Sequence, residues 1–243
     1  MCFSATASFT LSGVLGVTGA ASIARSTTPT TRLFAAIPLL FGLQQFAEGI
    51  VWATMDAPMH LALHETAVVS FLALALVIWP VWAPLSLWLI EPEGFRRRLL
   101  LSFSCLGVII AAVALRLLLQ WEPIAVVADN SIDYKHATMG FAIPEFALLL
   151  AYSVPTVASF LISTRTMVRT IGVTLFVSLL LAFLIKREAL TSAWCFFAAV
   201  LSGMILVAVG RMSTSPRISR EGTIVPVAIS RTTDKAPRAA ARP

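Results

Sequence analysis

Charged side chains are scarce in this chain. Only 12% of its 243 residues are Asp, Glu, Lys or Arg, while 58% are hydrophobic. A soluble domain carries about 25% charged residues, so too little polar surface exists to meet water on every side. That excludes an ordinary water-borne globule and leaves lipid as the solvent. Cysteine is also rare. Cys2, Cys105 and Cys195 are too few for a disulfide framework, and no CxxC or regular Cys/His metal spacing occurs. No GxxxxGK[ST], GxGxxG or GxSxG is present, which removes the usual signatures of phosphate, dinucleotide and acyl-transfer chemistry. No internal repeat and no paired broken helices of the transporter type are evident. Basic residues are missing before the first apolar run, since the first is Arg25. Residues 8–24 therefore read as a retained span rather than a cleaved signal.

What the chain has is long apolar stretches, at roughly 8–24, 33–53, 61–79, 98–118, 141–162, 168–185 and 190–210. Each is near the ~20 residues that cross the hydrocarbon of a bilayer as a helix. None shows the alternation of barrel strands, and a lipid-exposed backbone must satisfy its own hydrogen bonds. The expected fold is all-α: a polytopic bundle of about seven transmembrane helices over 1–212. A basic, disordered cytoplasmic tail is expected over 213–243, rich in Pro, Ser, Thr, Ala and Arg. With the N-terminus outside, only Arg116, Lys135, Lys186 and Arg187 of the 18 Lys and Arg fall on the outer side, a positive-inside pattern. The net charge of +6 thus reflects topology, and no nucleic-acid partner is expected.

Two regions resist a simple assignment. From Met59 to Ile90 the chain hardly leaves the apolar register, a length of about 48 Å as a helix. Pro80 and Pro84 are expected to kink or break it. The reading is a crossing helix followed by a Pro-bent segment near the inner surface, with Trp79, Trp82 and Trp88 in the inner aromatic belt. A rival register crosses at about 70–90 and leaves His64 and Glu65 in water. In the outer loop at 120–140, IAVVA, Asp129-Asn130 and SIDY have the pattern of a short hairpin, which could lie over the outer end of the bundle. The alternative is an irregular exposed loop.

The second span carries the sharpest chemical feature, PLLFGLQQFAEGIVW at 38–52. Gln44, Glu48 and Trp52 recur at i, i+4 and i+8 and share a helix face, with Gln45 three residues before Glu48. A carboxylate in hydrocarbon costs a few kcal/mol, so Glu48 should face the bundle interior. Desolvation favours the neutral carboxyl, which would make it a proton donor. Alternatively, Glu48 and the glutamines only tie helices together. Arg116, Glu145, Trp194 and Cys195 fall at matching depth in the outer half. Arg116 is the natural counter-ion for Glu48 or Glu145, or else it snorkels to the interface. His60 and His64 stand at i, i+4, a chelating spacing, and His136 with Asp133 could complete a site, with Asp56 and Glu65 as alternatives. A divalent metal is thus a minority reading beside interfacial histidines bonded to water, and no cofactor is expected. Cys2 and Cys195 could form a disulfide in an oxidising compartment. Cys2 exposed by methionine removal could also be a nucleophile. Cys105 reads as a small core residue.

Together, MCFSATASF, the second-span segment, WPVWAPLS, SIDY and TSAWCFFAA resemble a family of uncharacterised bacterial multi-pass membrane proteins that opens with Met-Cys-Phe-Ser-Ala. The resemblance covers residues 1 to about 210. It implies an integral protein of about seven helices, in the bacterial inner membrane, with no established activity. By position it singles out Cys2, Ser4, Gln44, Gln45, Glu48, Trp52, Trp79, Pro80, Pro84, Trp194 and Cys195. The family pattern has histidine near 128–131, where this chain has Asp129 and Asn130, and that departure counts against a metal.

Three functions follow as expectations. One is a polar pocket in the outer half that binds a lipophilic or small-molecule ligand through Gln44, Gln45, Glu48, Trp52, Arg116 and Trp194. Another is a membrane-embedded enzyme (cyclase, isomerase or hydrolase) with Glu48 as acid and Glu145, His64 or Asp133 as partner. Last comes a proton-coupled transporter, disfavoured because the inner half shows no continuous polar path.

Overall fold

Ser4 starts the first helix. Its hydroxyl accepts from the Ala7 N–H and caps α1 (Ala5–Arg25). Thr28 does the same for α2 (Pro29–Ala35), accepting from the Thr31 N–H with Pro29 at the first position. A bend at Ala36 follows, beside Pro38, and α3 runs over Ile37–Thr54. The computed structural model describes residues 4–56, 58–120, 123–128, 131–135, 145–185 and 197–214. The chain divides into two compact units, Met1–Ser213 and Thr214–Pro243. The expected disordered tail lies outside the described residues.

Helices α1 and α3 pack antiparallel along a seam of small residues. A Cβ on Gly19 would stand 2.6 Å from the Leu39 nitrogen, and Ser12 donates to the Gly42 carbonyl at 2.9 Å. Such close backbone approach is the way apolar helices associate in lipid.

Residues 61–90 form one continuous helical rod rather than a crossing helix and a separate surface segment. It comprises α4 (Leu61–Leu72), a π-helical turn (Ala73–Ile78) and α5 (Trp79–Ile90). The prolines explain both the turn and the continuity. In the π register the Trp79 N–H donates to the Leu74 carbonyl, so the next bond, to Ala75, would need the N–H that Pro80 lacks. The Tyr152 hydroxyl donates to the Ala75 carbonyl instead, at 2.5 Å. The freed backbone group is satisfied from another helix, and the rod does not break. Replacing Tyr152 with Phe is expected to cost about 1–3 kcal/mol, read as a lower midpoint in thermal unfolding of the detergent-solubilised protein.

The long α6 (Phe95–Gln120) packs against α5 and the π turn, burying Leu100, Ser104, Gly107 and Ala111. Cys105 is exposed on its other face, not in the core. After α6, β1 (Ile124–Ala128) and β2 (Ser131–Lys135) pair antiparallel, from Ile124 opposite Lys135 to Ala128 opposite Ser131. The expected hairpin pairing is therefore present. Next come α7 (Glu145–Ser153), a second π turn (Val154–Ala158) around Pro155, the short α8 (Ser159–Leu161), α9 (Thr166–Ile185) and α10 (Ala198–Thr214).

Four of the described helical rods are long and apolar enough to cross a membrane: Ala5–Arg25, Pro29–Thr54, Leu61–Ile90 and Phe95–Gln120. Shorter apolar helices occupy Ala147–Leu161, Thr166–Leu181 and Ala199–Thr214. The larger core gathers Phe34, Ile37, Leu87, Leu100, Phe160 and Ile171, among others, around α5. A smaller one joins Ala47, Val51, Val68, Phe71 and Leu72 of α3 and α4 to Ala125 and Ile132 of the hairpin.

Candidate functional site

The smaller core surrounds a buried polar row on α3. Gln44, Gln45 and Glu48 are 2%, 0% and 0% exposed. Their burial follows from helical phase. Gly42, Gln45 and Gly49 lie toward α1, Gln44 and Val51 turn toward α4 and α5, and Leu43 and Phe46 are left outside at 50% and 51% exposed. Glu48 lies six residues before the end of α3, about 9 Å below it.

The row is held by specific bonds. Gln45 Nε2 donates to Glu48 Oε2 at 3.0 Å. Trp79 Nε1 donates to Gln44 Oε1 at 2.7 Å, and its ring lies 4.3 Å from that of Phe41. Trp79 thus belongs to the interior, not to the aromatic belt expected from its place in the sequence. The π turn immediately before it sets the phase that aims its indole at α3. One turn above Glu48, the Trp52 Nε1–H is buried and has no hydrogen-bond partner among the described residues. On α1, the Ser8 hydroxyl is likewise buried and unpartnered. It lies one turn before Ser12, and its neighbour Phe9 packs on Gly49 of α3, which sets it level with the turn between Glu48 and Trp52. Buried polar groups are nearly always paired, so two orphans at this one level are notable.

The hairpin covers this end. Ile132 is fully buried, and the Tyr134 ring stacks on Phe71 at 4.7 Å and 17°. Strand alternation places Ala125, Val127, Ile132 and Tyr134 on one face and Val126 and Asp133 on the other.

Several expected partners are elsewhere. Arg116 is exposed on α6, and no ion pair joins it to Glu48 among the described residues. Its helix buries Ser104, Gly107 and Ala111 and continues that face to Leu118, which packs on the smaller core. Arg116 is two residues, or about 200°, from Leu118 and so points the opposite way. Of the two roles expected for Arg116, the pairing with Glu48 is absent among the described residues, where its side chain is exposed. Asp133 lies on the hairpin face opposite Tyr134 and is half-buried. His60 sits in the turn Pro58–His60 that precedes α4, exposed, while His64 Nδ1 meets Thr54 Oγ1 at 2.9 Å. The two histidines do not form one chelating face, because the helix starts between them, and His64 ties α4 to α3. Among the described residues no three His, Cys, Asp or Glu side chains come together. The Glu145 side chain and residues Cys2, His136, Trp194 and Cys195 lie outside the described residues, and with them the disulfide, the N-terminal nucleophile and the remainder of the metal reading.

A second buried carboxylate escaped the sequence reading. Glu91, 3% exposed, follows α5. Its Oε2 accepts from the Ser163 hydroxyl and its Oε1 from the Thr164 N–H, both at 2.7 Å. Arg165 Nε and a terminal guanidinium nitrogen each donate to the Ile90 carbonyl at 3.2 Å. This clasp joins the end of α5 to the turn before α9. In sequence, Glu91 sits beside Pro92 and Glu93 before a run of arginines and reads as an ordinary interfacial loop. Only the short apolar-to-polar step at Ile90-Glu91 hints otherwise.

Residues 1–234 match the model of a family described as "Family of unknown function (DUF6629)". The chain belongs to that family. No curated protein and no solved structure matches it. Membership covers the opening segment, the α3 row, the two-proline rod and the hairpin, in keeping with the resemblance read from those segments.

Proposed function

We propose that this family member is a multi-pass integral membrane protein, of about seven crossings, whose buried row on α3 binds a lipophilic or small-molecule ligand. In this reading the N-terminus and hairpin lie outside, the arginine-bearing ends lie in the cytoplasm, and the membrane is the bacterial inner membrane. The positive-inside distribution and the uniformly apolar helices support it. The observation that carries the ligand proposal is the buried Trp52 Nε1–H without an acceptor among the described residues, one helical turn from the fully buried Glu48. An unpaired buried donor costs about 1–3 kcal/mol, and a ligand acceptor at that level would remove the cost. Glu48 and Gln45 would orient the polar part of the ligand, and Phe41, Trp79 and Phe71 would line its apolar part.

The test is mass spectrometry of organic extracts of the purified full-length protein. A co-purifying molecule is expected in the parent and at least tenfold depleted in Glu48→Gln. That variant keeps an acceptor for Gln45, so its unfolding midpoint should stay within a few degrees of the parent. A parent free of any stoichiometric molecule, or an equally loaded Glu48→Gln, would overturn the reading. Elemental analysis of the same sample checks the metal alternative.

A further inference from the structure

The end of the bundle opposite Glu48 carries a different chemistry. Arg25 closes α1, Arg32 lies in α2, Arg96, Arg97 and Arg98 open α6, Arg165 and Arg169 flank the start of α9, and Arg211 lies in the last turn of α10. Contacts bring these segments to one level. Ser213 donates to the Arg25 carbonyl at 2.6 Å, Trp82 Nε1 to the Leu33 carbonyl at 2.9 Å, and Arg96 to the Ser163 carbonyl at 3.4 Å. Every cation in this collar is arginine.

Among the described residues the collar is not neutralised from within. Its carboxylates there are Glu91 and Glu93. Glu91 is buried and engaged by Ser163 and Thr164, and Glu93 lies 3.7 Å from Arg97. Arg25, Arg32, Arg96, Arg98 and Arg169 are exposed and meet no carboxylate among the described residues. The Arg97 guanidinium also lies over the Trp88 ring, 4.9 Å from its centroid, a cation–π contact.

Apolar surface begins directly beside these cations. On α9, exposed Arg169 is followed on the same helical face by Val173, Phe176, Val177 and Leu180, at 54%, 52%, 46% and 47% exposed. On α6, exposed Arg98 is followed by Leu101 and Val108, at 45% and 53%. A guanidinium fork above an apolar stripe fits a molecule that has a phosphate at one end and an acyl chain at the other. Free phosphate would use the cation and leave the stripe bare. A zwitterionic lipid would use the stripe but bring its own cation to the collar.

We infer that the arginine collar is a binding surface for anionic phospholipid, with the phosphate on Arg98 or Arg169 and an acyl chain along the stripe beneath. Each arginine at such a surface strengthens binding about fivefold. The experiment is thermal unfolding of delipidated, detergent-purified full-length protein titrated with phosphatidylglycerol, with phosphatidylcholine of the same chains, or with inorganic phosphate. Phosphatidylglycerol alone should raise the midpoint. Its half-saturating concentration should rise roughly 25-fold in Arg98→Gln/Arg169→Gln and stay at the parental value in Arg116→Gln, at the other end. Equal stabilisation by phosphatidylcholine or by phosphate, or an unchanged titration in the double variant, would overturn the inference. Should the double variant not fold, native mass spectrometry of the parent from membranes of known composition decides. Bound phosphatidylglycerol enriched over its share in the bilayer supports the collar, and no enrichment rejects it.

Discussion

Gly107→Ala should unfold this protein or leave it too unstable to purify. A Cβ at that position would stand 1.9 Å from the Pro80 carbonyl oxygen and 2.6 Å from its carbon. Both are backbone atoms and cannot swing aside. The contact is so close because of a second proline. In an α-helix the Pro80 carbonyl would accept from the N–H of residue 84, but residue 84 is Pro84. The free carbonyl projects toward α6, and only glycine lets that helix come near enough to cover it with its Cα–H. The expected cost is about 3 kcal/mol or more, measured as the loss of a monodisperse, cooperatively unfolding species. Gly13→Ala is the control, since nothing lies within 4 Å of its added methyl. The cost of Gly107→Ala should shrink in a Pro84→Ala background, where the Pro80 carbonyl regains its helical donor. A double-mutant cycle with no coupling would reject this explanation.

Glu91→Ala should be nearly as damaging, and for the opposite reason: it removes an acceptor rather than adding bulk. Ser163, 0% exposed, and the Thr164 N–H would be left without their carboxylate partner. Each buried donor left without its acceptor costs about 1–3 kcal/mol. Glu91→Gln retains one carbonyl oxygen and should fall between the parent and Ala. Ser163→Ala, which leaves Glu91 its Thr164 donor but takes away the Ser163 donor and the acceptor of the Arg165 N–H, should cost less than Glu91→Ala. Thermal unfolding of all three variants in one detergent gives the order. A Glu91→Ala midpoint equal to that of the parent would show that the α5–α9 clasp does not contribute to stability.

These two sites show where the sequence was legible and where it was not. The helices were readable because a shortage of charge and long apolar runs leave no other structure in lipid. The hairpin was readable because its signal is local: IAVVA and SIDY flank a turn dipeptide, and pairing needs only those residues. The burial of Glu48 followed from the cost of a carboxylate in hydrocarbon, and Gln45 from its spacing. Trp79 was misplaced, and Arg116 was left with two readings, because α5 and much of α6 are apolar on all sides, so hydropathy carries no phase. Which way each residue points was set by the π turn and by Gly107. The rod at 61–90 survives its prolines through Tyr152, 77 residues from Ala75, a distance no local pattern spans. Glu91 stayed hidden because its partners, Ser163 and Thr164, lie just as far along the chain.

The hairpin also acts as a depth gauge. Two paired strands leave a row of amide and carbonyl groups on each outer edge, and such groups cannot be left in hydrocarbon. In the orientation proposed above, the strands would therefore mark the level at which water begins on their side of the bilayer. Ala125 and Ile132 rest on Ala47 and Val51, so Glu48 lies one layer of side chains beneath that boundary. In that orientation a molecule arriving from water would meet the exposed Val126 and Val127 of the hairpin before the buried Ile132, whereas one already dissolved among the acyl chains would meet only the sides of helices.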